Sequence, residues 1–335
     1  MAAPVRVDAI DQRTKLPPMS PHRLANVRLV CRIVGSVTTG ILLVGCKQDA
    51  PAVRVDSAAV RNSVRTDSSI TPAPSNGWSA AAGPVLLVAG ASPDEAIVFF
   101  GTSGPTAAAV DTGAVDQATA TLFGRDSSRF TATLELPAGN DNAECRIWPL
   151  RNLHATAGVG TWSVGFLSSS VTPIPLDSVD ALPARDSMAL AAEASRLASA
   201  VTANTSPSFQ GLRFTAHDIR RFRAAPGVQA LAAQLIRRVN QEADPQEEQT
   251  LLIAERDSGV TSGRYQLAYA ERSFGKEEDV VSTELVAALR LSANGPASLV
   301  IARDSDAGLA YALIERTGPR QWGVRWTSGL AKCAD

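Results

Sequence analysis

Residues 284–327 read ELVAALRL (284–291), SANGPA, SLVIAR (298–303), DSDAGL, AYALIE (310–315), RTGPR and QWGVRWT (321–327). Short runs rich in Val, Ile, Leu and aromatic residues alternate with clusters of Gly, Pro, Asn, Asp and Ser. Apolar runs of this length, closed on both sides by turn formers, read as strands joined by tight turns. Asp304-Ser305-Asp306-Ala307-Gly308 opens like a calcium loop, and Glu315 stands at the closing distance. Leu309 occupies the position where such a loop needs glycine, and no helices flank it, so the cluster reads as a hairpin turn.

The same pattern extends upstream. Residues 212–219, 250–256 and 265–271 read as strands, and so do 85–89, 96–100, 120–123, 130–136, 145–148 and 162–167. Segment 228–239 is ambiguous, because Val228, Leu231, Leu235, Ile236 and Val239 also fit a helical stripe. Leu251-Leu252-Ile253-Ala254 echoes Leu299-Val300-Ile301-Ala302, and Glu271-Arg272-Ser273 echoes Glu315-Arg316-Thr317. Read as an internal hairpin repeat, these echoes set 229–239 against the strand-like 284–291 and make it a strand. Biased composition produces such echoes cheaply as well. One segment is helical: Leu190, Ala194, Leu197 and Val201 recur on one face with Ala191 and Ala198 beside them, and Asp186 or Ser187 is placed to cap it. The predicted fold class is α+β, strand-dominated, with antiparallel or sandwich-like sheets and an amphipathic helix at about 187–203.

The N-terminus has a different character. His22, Arg23, Arg28 and Arg32 form a basic stretch without acids. The uncharged run IVGSVTTGILLVG (33–45) follows, then Cys46. Basic, then briefly apolar, then small residues is the layout of a secretory signal, and the run is too short to span a bilayer comfortably. Leu43-Val44-Gly45-Cys46 resembles the lipobox of bacterial lipoproteins. The resemblance is confined to residues 19–46. It implies that Leu43, Val44 and Gly45 are recognised by the signal peptidase, that Cys46 carries the lipid, and that the protein is held to a membrane outside the cytoplasm. From Met1 the leader is long, whereas from Met19 it has ordinary length, so Met19 is the expected start. In that family Asp after the cysteine favours the inner membrane; Lys47 stands here, which points toward the outer one. The expected organisation is therefore a signal peptide (1–45), a flexible tether (46–82) rich in Ser, Thr, Ala and Pro, an N-terminal β-rich region (83–172) and a C-terminal α+β region (173–335).

Charge excludes one class of partner. The chain has 32 bases and 33 acids, and removing the leader leaves a mildly acidic body. Such a body carries no footprint for nucleic acid and does not attract anionic headgroups, so membrane contact is assigned to the lipid anchor. Hydrophobic residues make up 45% of the chain, enough for a sizeable core.

Chemistry-bearing motifs are scarce. Past the leader the histidines are His154 and His217, with no cysteine or histidine pair at zinc spacing. His217 and Asp218 are neighbours, and neighbours on a strand point to opposite faces. Gly101-Thr102-Ser103-Gly104 lacks the spacing of a nucleophile elbow. Lys276 follows Ser273 at Ser-x-x-Lys spacing but without a surrounding helix. Gly158-Val159-Gly160 leads into a strand and so reads as a turn, not a phosphate cradle. Glu242, Asp244, Glu247 and Glu248 read as a solvated acidic loop. Trp322, Val324 and Trp326 share a face if 321–327 is a regular strand, most simply a core face.

No catalytic residue, cofactor or metal site is assigned from these residues. The leading expectation is a non-catalytic envelope lipoprotein that binds a protein or small-ligand partner. One rival is a periplasmic hydrolase whose distant residues converge in the fold, which a pocket lined by carboxylates or His217 would favour; another is a structural component of the envelope. With Cys46 lipidated, Cys145 and Cys333 remain, and an oxidising compartment favours a disulfide between them.

Overall fold

A computed structural model describes residues 77–101, 112–137, 147–201, 207–239, 244–259 and 263–330. The leader, the Leu43-Val44-Gly45-Cys46 motif, tether residues 46–76, most of Gly101–Gly104, and Cys145 and Cys333 lie outside the described residues.

Six strands close into an antiparallel barrel: β1 (Val85–Ala89), β2 (Glu95–Phe100), β3 (Thr119–Phe123), β4 (Arg129–Leu134), β5 (Ile147–Ala157) and β6 (Val164–Phe166), in the order β1-β2-β5-β4-β3-β6. The run VLLVA of β1 is apolar on both faces for a reason. Val85 and Leu87 enter the barrel core with Leu122, Trp148 and Trp162. Leu86 and Val88 point outward into a second cluster. Strand β5 runs nine residues past the predicted 145–148, because its second half faces solvent and lost the apolar signal.

Two five-stranded antiparallel sheets follow. A central sheet has the order β16-β15-β14-β13-β7, with β7 (Thr172–Pro173), β13 (Ser282–Arg290), β14 (Ala297–Ser305), β15 (Gly308–Gly318) and β16 (Gln321–Thr327). A helix-side sheet has the order β12-β11-β10-β9-β8, with β8 (Asp177–Ser178), β9 (Thr215–Ala225), β10 (Val228–Val239), β11 (Gln246–Asp257) and β12 (Gln266–Lys276). The fold is thus strand-dominated α+β, as predicted, and 228–239 is a strand. The two-residue strands β7 and β8 went unpredicted; Pro173 is tolerated there because β7 is an edge strand. Together they carry the chain from one sheet to the other.

The elements stack in four layers. The two sheets face each other through Phe222, Leu251 and Ile253 on one side and Leu285, Leu299 and Ile301 on the other. The opposite face of the central sheet, through Leu289, Val300 and Leu313, packs on the outside of the barrel at Leu86, Phe99 and Phe166. Helix α1 (Ala184–Val201) covers the far face of the helix-side sheet with Ala194, Leu197 and Ala198, against Leu231, Leu235 and Leu252. The central sheet is buried on both faces, which explains why its strands read as nearly continuous apolar runs.

Several expectations need correction. Helix α1 starts at Ala184, just after Pro183, so Asp186 and Ser187 sit in its first turn and not at the cap; Asp186 there complements the helix dipole. The tether does not reach residue 82. Trp78 stacks edge-on against Trp326 at 4.7 Å, its Nε1 donates to the Gly83 carbonyl at 2.6 Å, and Ala80–Ala82 is a 3₁₀ turn with Ala82 buried. A Cβ on Gly101 would lie 2.2 Å from the Trp78 ring, so glycine is what lets that indole dock. Trp322 and Trp326 do not share a face. The register of β15 against β16 slips at Arg325, so Trp322 enters the core between the sheets while Trp326 faces the barrel. The echoed hairpins are real hairpins, but they occupy different places. β11 and β12 are the last two strands of their sheet, whereas β14 and β15 lie one position further in.

Candidate functional site

The acidic run read as a solvated loop contains two core residues. Glu247 and Glu248 belong to β11, and Glu248 is fully buried facing α1. It binds Arg237 (2.7 Å) and Arg272 (2.9 Å), an Arg–Glu–Arg triad in which both arginines are also buried. Arg237 lies over the rings of Phe214 and Phe209, and Arg272 over Phe274, so apolar surface is used to hold the cations. Asp244 is partnered by Lys276 at 3.9 Å.

The triad supports a cleft. Arg237 Nη1 donates to the Phe209 carbonyl at 3.0 Å, fixing the segment that enters β9. Leu212, Arg213, Thr215 and His217 from that segment, with Ile236 and Arg238 from β10, line an open cleft of about 510 Å³. Its size falls in the range of ordinary ligand pockets, about 300–1,000 Å³. β8 pairs only with Arg220 and Arg221, so the first half of β9 is a sheet edge. The register of β9 against β10 slips between Ala216 and Asp218, and His217 is the extra residue. Such a bulge re-aims a side chain out of the regular alternation, here to the cleft.

The cleft is cationic. Arg213 is exposed and makes no ion pair or hydrogen bond among the described residues. Arg238 is half-exposed and leans on the buried Glu247. Among the described residues, no carboxylate lines the cleft. Asp218, the neighbour of His217, is bound by Arg220 at 2.8 Å and so does not orient the imidazole.

The inner faces of the two sheets carry further polar groups. Glu255 at one end accepts a forked pair of bonds from Arg316 (2.7 and 3.0 Å), one from the Arg320 N–H (3.0 Å) and one from Trp322 Nε1 (2.7 Å). Burial alone pushes its carboxyl up, but Arg316, the Arg320 N–H and Trp322 outweigh that and hold it below its ordinary value. At the other end Glu271 accepts from Arg303 (2.6 Å) and from the Tyr269 hydroxyl (2.9 Å). Burial, reinforced by Glu271, holds that hydroxyl protonated far above its ordinary range.

The remaining candidates stand as follows. His154 is exposed and held by Thr131 and the Asn152 carbonyl, both at 2.8 Å. Ser273 is buried and accepts from the Val281 N–H, while Lys276 turns to Asp244; they form no pair. Gly158-Val159-Gly160 is a turn with Val159 fully exposed, and Asp306-Ala307 forms the tip of the β14–β15 hairpin. Among the described residues there is no group of three or more His, Cys, Asp or Glu placed to hold a metal, and no helix long and apolar enough to cross a membrane. Compared with known protein families, with curated proteins and with solved structures, the chain matches none.

Proposed function

We propose that the chain is a lipid-anchored envelope protein whose folded body binds an anionic ligand and performs no reaction on it. The observation that carries the binding assignment is the cleft on the edge of β9. It offers an unpaired Arg213, a bulge-presented His217 and a half-exposed Arg238 that Glu247 holds from the buried side, and among the described residues no carboxylate lines it. Charge-assisted hydrogen bonds to phosphate or carboxylate groups are what such a set makes best. A hydrolase built here would need His217 held by a partner and aimed at a nucleophile, and no described residue hydrogen-bonds it. The anchor rests on the basic–apolar–Leu43-Val44-Gly45-Cys46 order. A Cys145–Cys333 disulfide belongs to the same reading. It rests on the cysteine count and on an oxidising compartment.

Titration of inorganic phosphate into the protein, followed by the His217 ring signals, tests the cleft. Saturable movement is expected, weakened at least tenfold by Arg213→Gln. Absence of saturation, or an unchanged response in the variant, contradicts the assignment. The anchor is tested by lipid labelling in bacteria: Cys46→Ser should abolish it, and an unlabelled wild-type chain at full precursor length would remove that part of the proposal.

A further inference from the structure

The core between the two sheets is apolar along most of its length and changes character at one end. By strand period, Glu271 and Ser273 continue the inner face of Tyr269, and Gln249 that of Leu251. Opposite them, Thr283 continues the face of Leu285, and Arg303 that of Ile301. These five positions would hold apolar side chains if the sandwich were merely packed. They instead surround a cavity of about 140 Å³, walled also by Val281 and Arg272.

The hydrogen bonds around this cavity do not close. Ser273 Oγ accepts from the Val281 N–H at 2.9 Å, which leaves its hydroxyl proton to give. Gln249 is engaged with Glu247 and Gln234. Thr283 is 4% exposed, yet its hydroxyl has no partner, and neither has Nε of Arg303, which binds Glu271 through Nη2. Buried polar atoms are rarely left so, and an orphan beside a polar cavity points to an occupant that the protein itself does not supply. Charge and size narrow that occupant. Arg303 and Glu271 cancel, and the charge of Arg272 is taken up by Glu248 on the other face of its strand, so the cavity favours a neutral guest. The cavity is partly open, and a space of about 150 Å³ accommodates a molecule of benzene size, about six heavy atoms.

We propose that this cavity is a second binding site, separate from the cleft on β9, for a small neutral molecule with a carbonyl or hydroxyl oxygen, an amide or a polyol. Its oxygen accepts from Arg303 Nε–H and from the Thr283 or Ser273 hydroxyl. The free Glu271 oxygen accepts from a donor on the same molecule.

The test uses the full chain labelled with ¹⁵N, following the Arg303 Nε–H signal and the amides of Ser273 and Thr283. Acetamide and glycerol are the neutral probes, and acetate is the charged control. At least one neutral probe should move these signals saturably and bind more tightly than acetate. Thr283→Val, which keeps the shape of the side chain, should weaken that binding at least tenfold while the unfolding midpoint is held or raised. Arg213→Gln should leave it unchanged, since that residue serves the other site. Signals unmoved by either neutral probe mean that the cavity holds water only and overturn the proposal. Tighter binding of acetate, or full binding in Thr283→Val, overturns it equally.

Discussion

Replacing Glu248 by Gln removes one charge from the most enclosed ionic group of the fold. The carboxylate is fully buried and receives Arg237 at 2.7 and 3.0 Å and Arg272 at 2.9 and 3.1 Å. The variant leaves two buried guanidiniums facing an amide whose NH₂ cannot accept from either. Removing one member of a buried ion pair costs about 3–5 kcal/mol. The aromatic faces beneath both arginines and the Phe209 carbonyl remain in place, which places the cost near the lower end, about 3 kcal/mol. Against the usual net stability of about 5–15 kcal/mol that is a large fraction, readable in a urea titration as a lowered midpoint at unchanged slope. The triple replacement Arg237→Met, Glu248→Leu, Arg272→Met removes all three charges and is expected to be neutral to more stable, by up to about 4 kcal/mol. A cost under about 1 kcal/mol for Glu248→Gln is the behaviour of a solvated pair and would refute the reasoning.

Glu255 predicts a pH dependence. Its folded carboxyl is held below the ordinary value of 4.5, so the stability it contributes is present above that value and lost as pH falls through the lower folded one. The stability gap between the wild type and Glu255→Gln should therefore shrink from about pH 6 to about pH 3, and a constant gap would count against the Arg316–Glu255–Trp322 clasp. Gly101→Ala places a methyl group in the Trp78 ring, so residues 77–82 should detach and become sensitive to proteolysis, at a cost of about 1–3 kcal/mol. Resistance equal to the wild type would show that Trp78 docks elsewhere. Thiol titration of natively exported protein should find Cys145 and Cys333 paired, with reduction costing up to about 4–5 kcal/mol; two free thiols end that proposal.

Much of the architecture was legible because the strands of the central sheet are buried on both sides and closed by unambiguous turns. Strand β16 starts and ends where its sequence says, and β10 is the strand that the hairpin echo implies. What stayed hidden depends on partners distant in the chain. Nothing near Glu248 announces that Arg237 and Arg272 will meet it in the interior, so a run of acids looked like a solvated loop. Slips of register are equally silent. One separates Trp322 from Trp326, and another re-aims His217 to the cleft. The cleft was missed for the same reason: its members come from the ends of two strands and carry no local spacing. A cluster of arginines beside a histidine is the signal that pairing of those strands makes visible.

The most direct test of the anion-binding cleft is a crystal structure of the protein soaked with tungstate, whose anomalous scattering marks an oxyanion by position. The account predicts a peak whose oxygens lie within about 3 Å of the Arg213 guanidinium, beside His217 and Arg238. An empty cleft, with tungstate bound elsewhere or not at all, would contradict it.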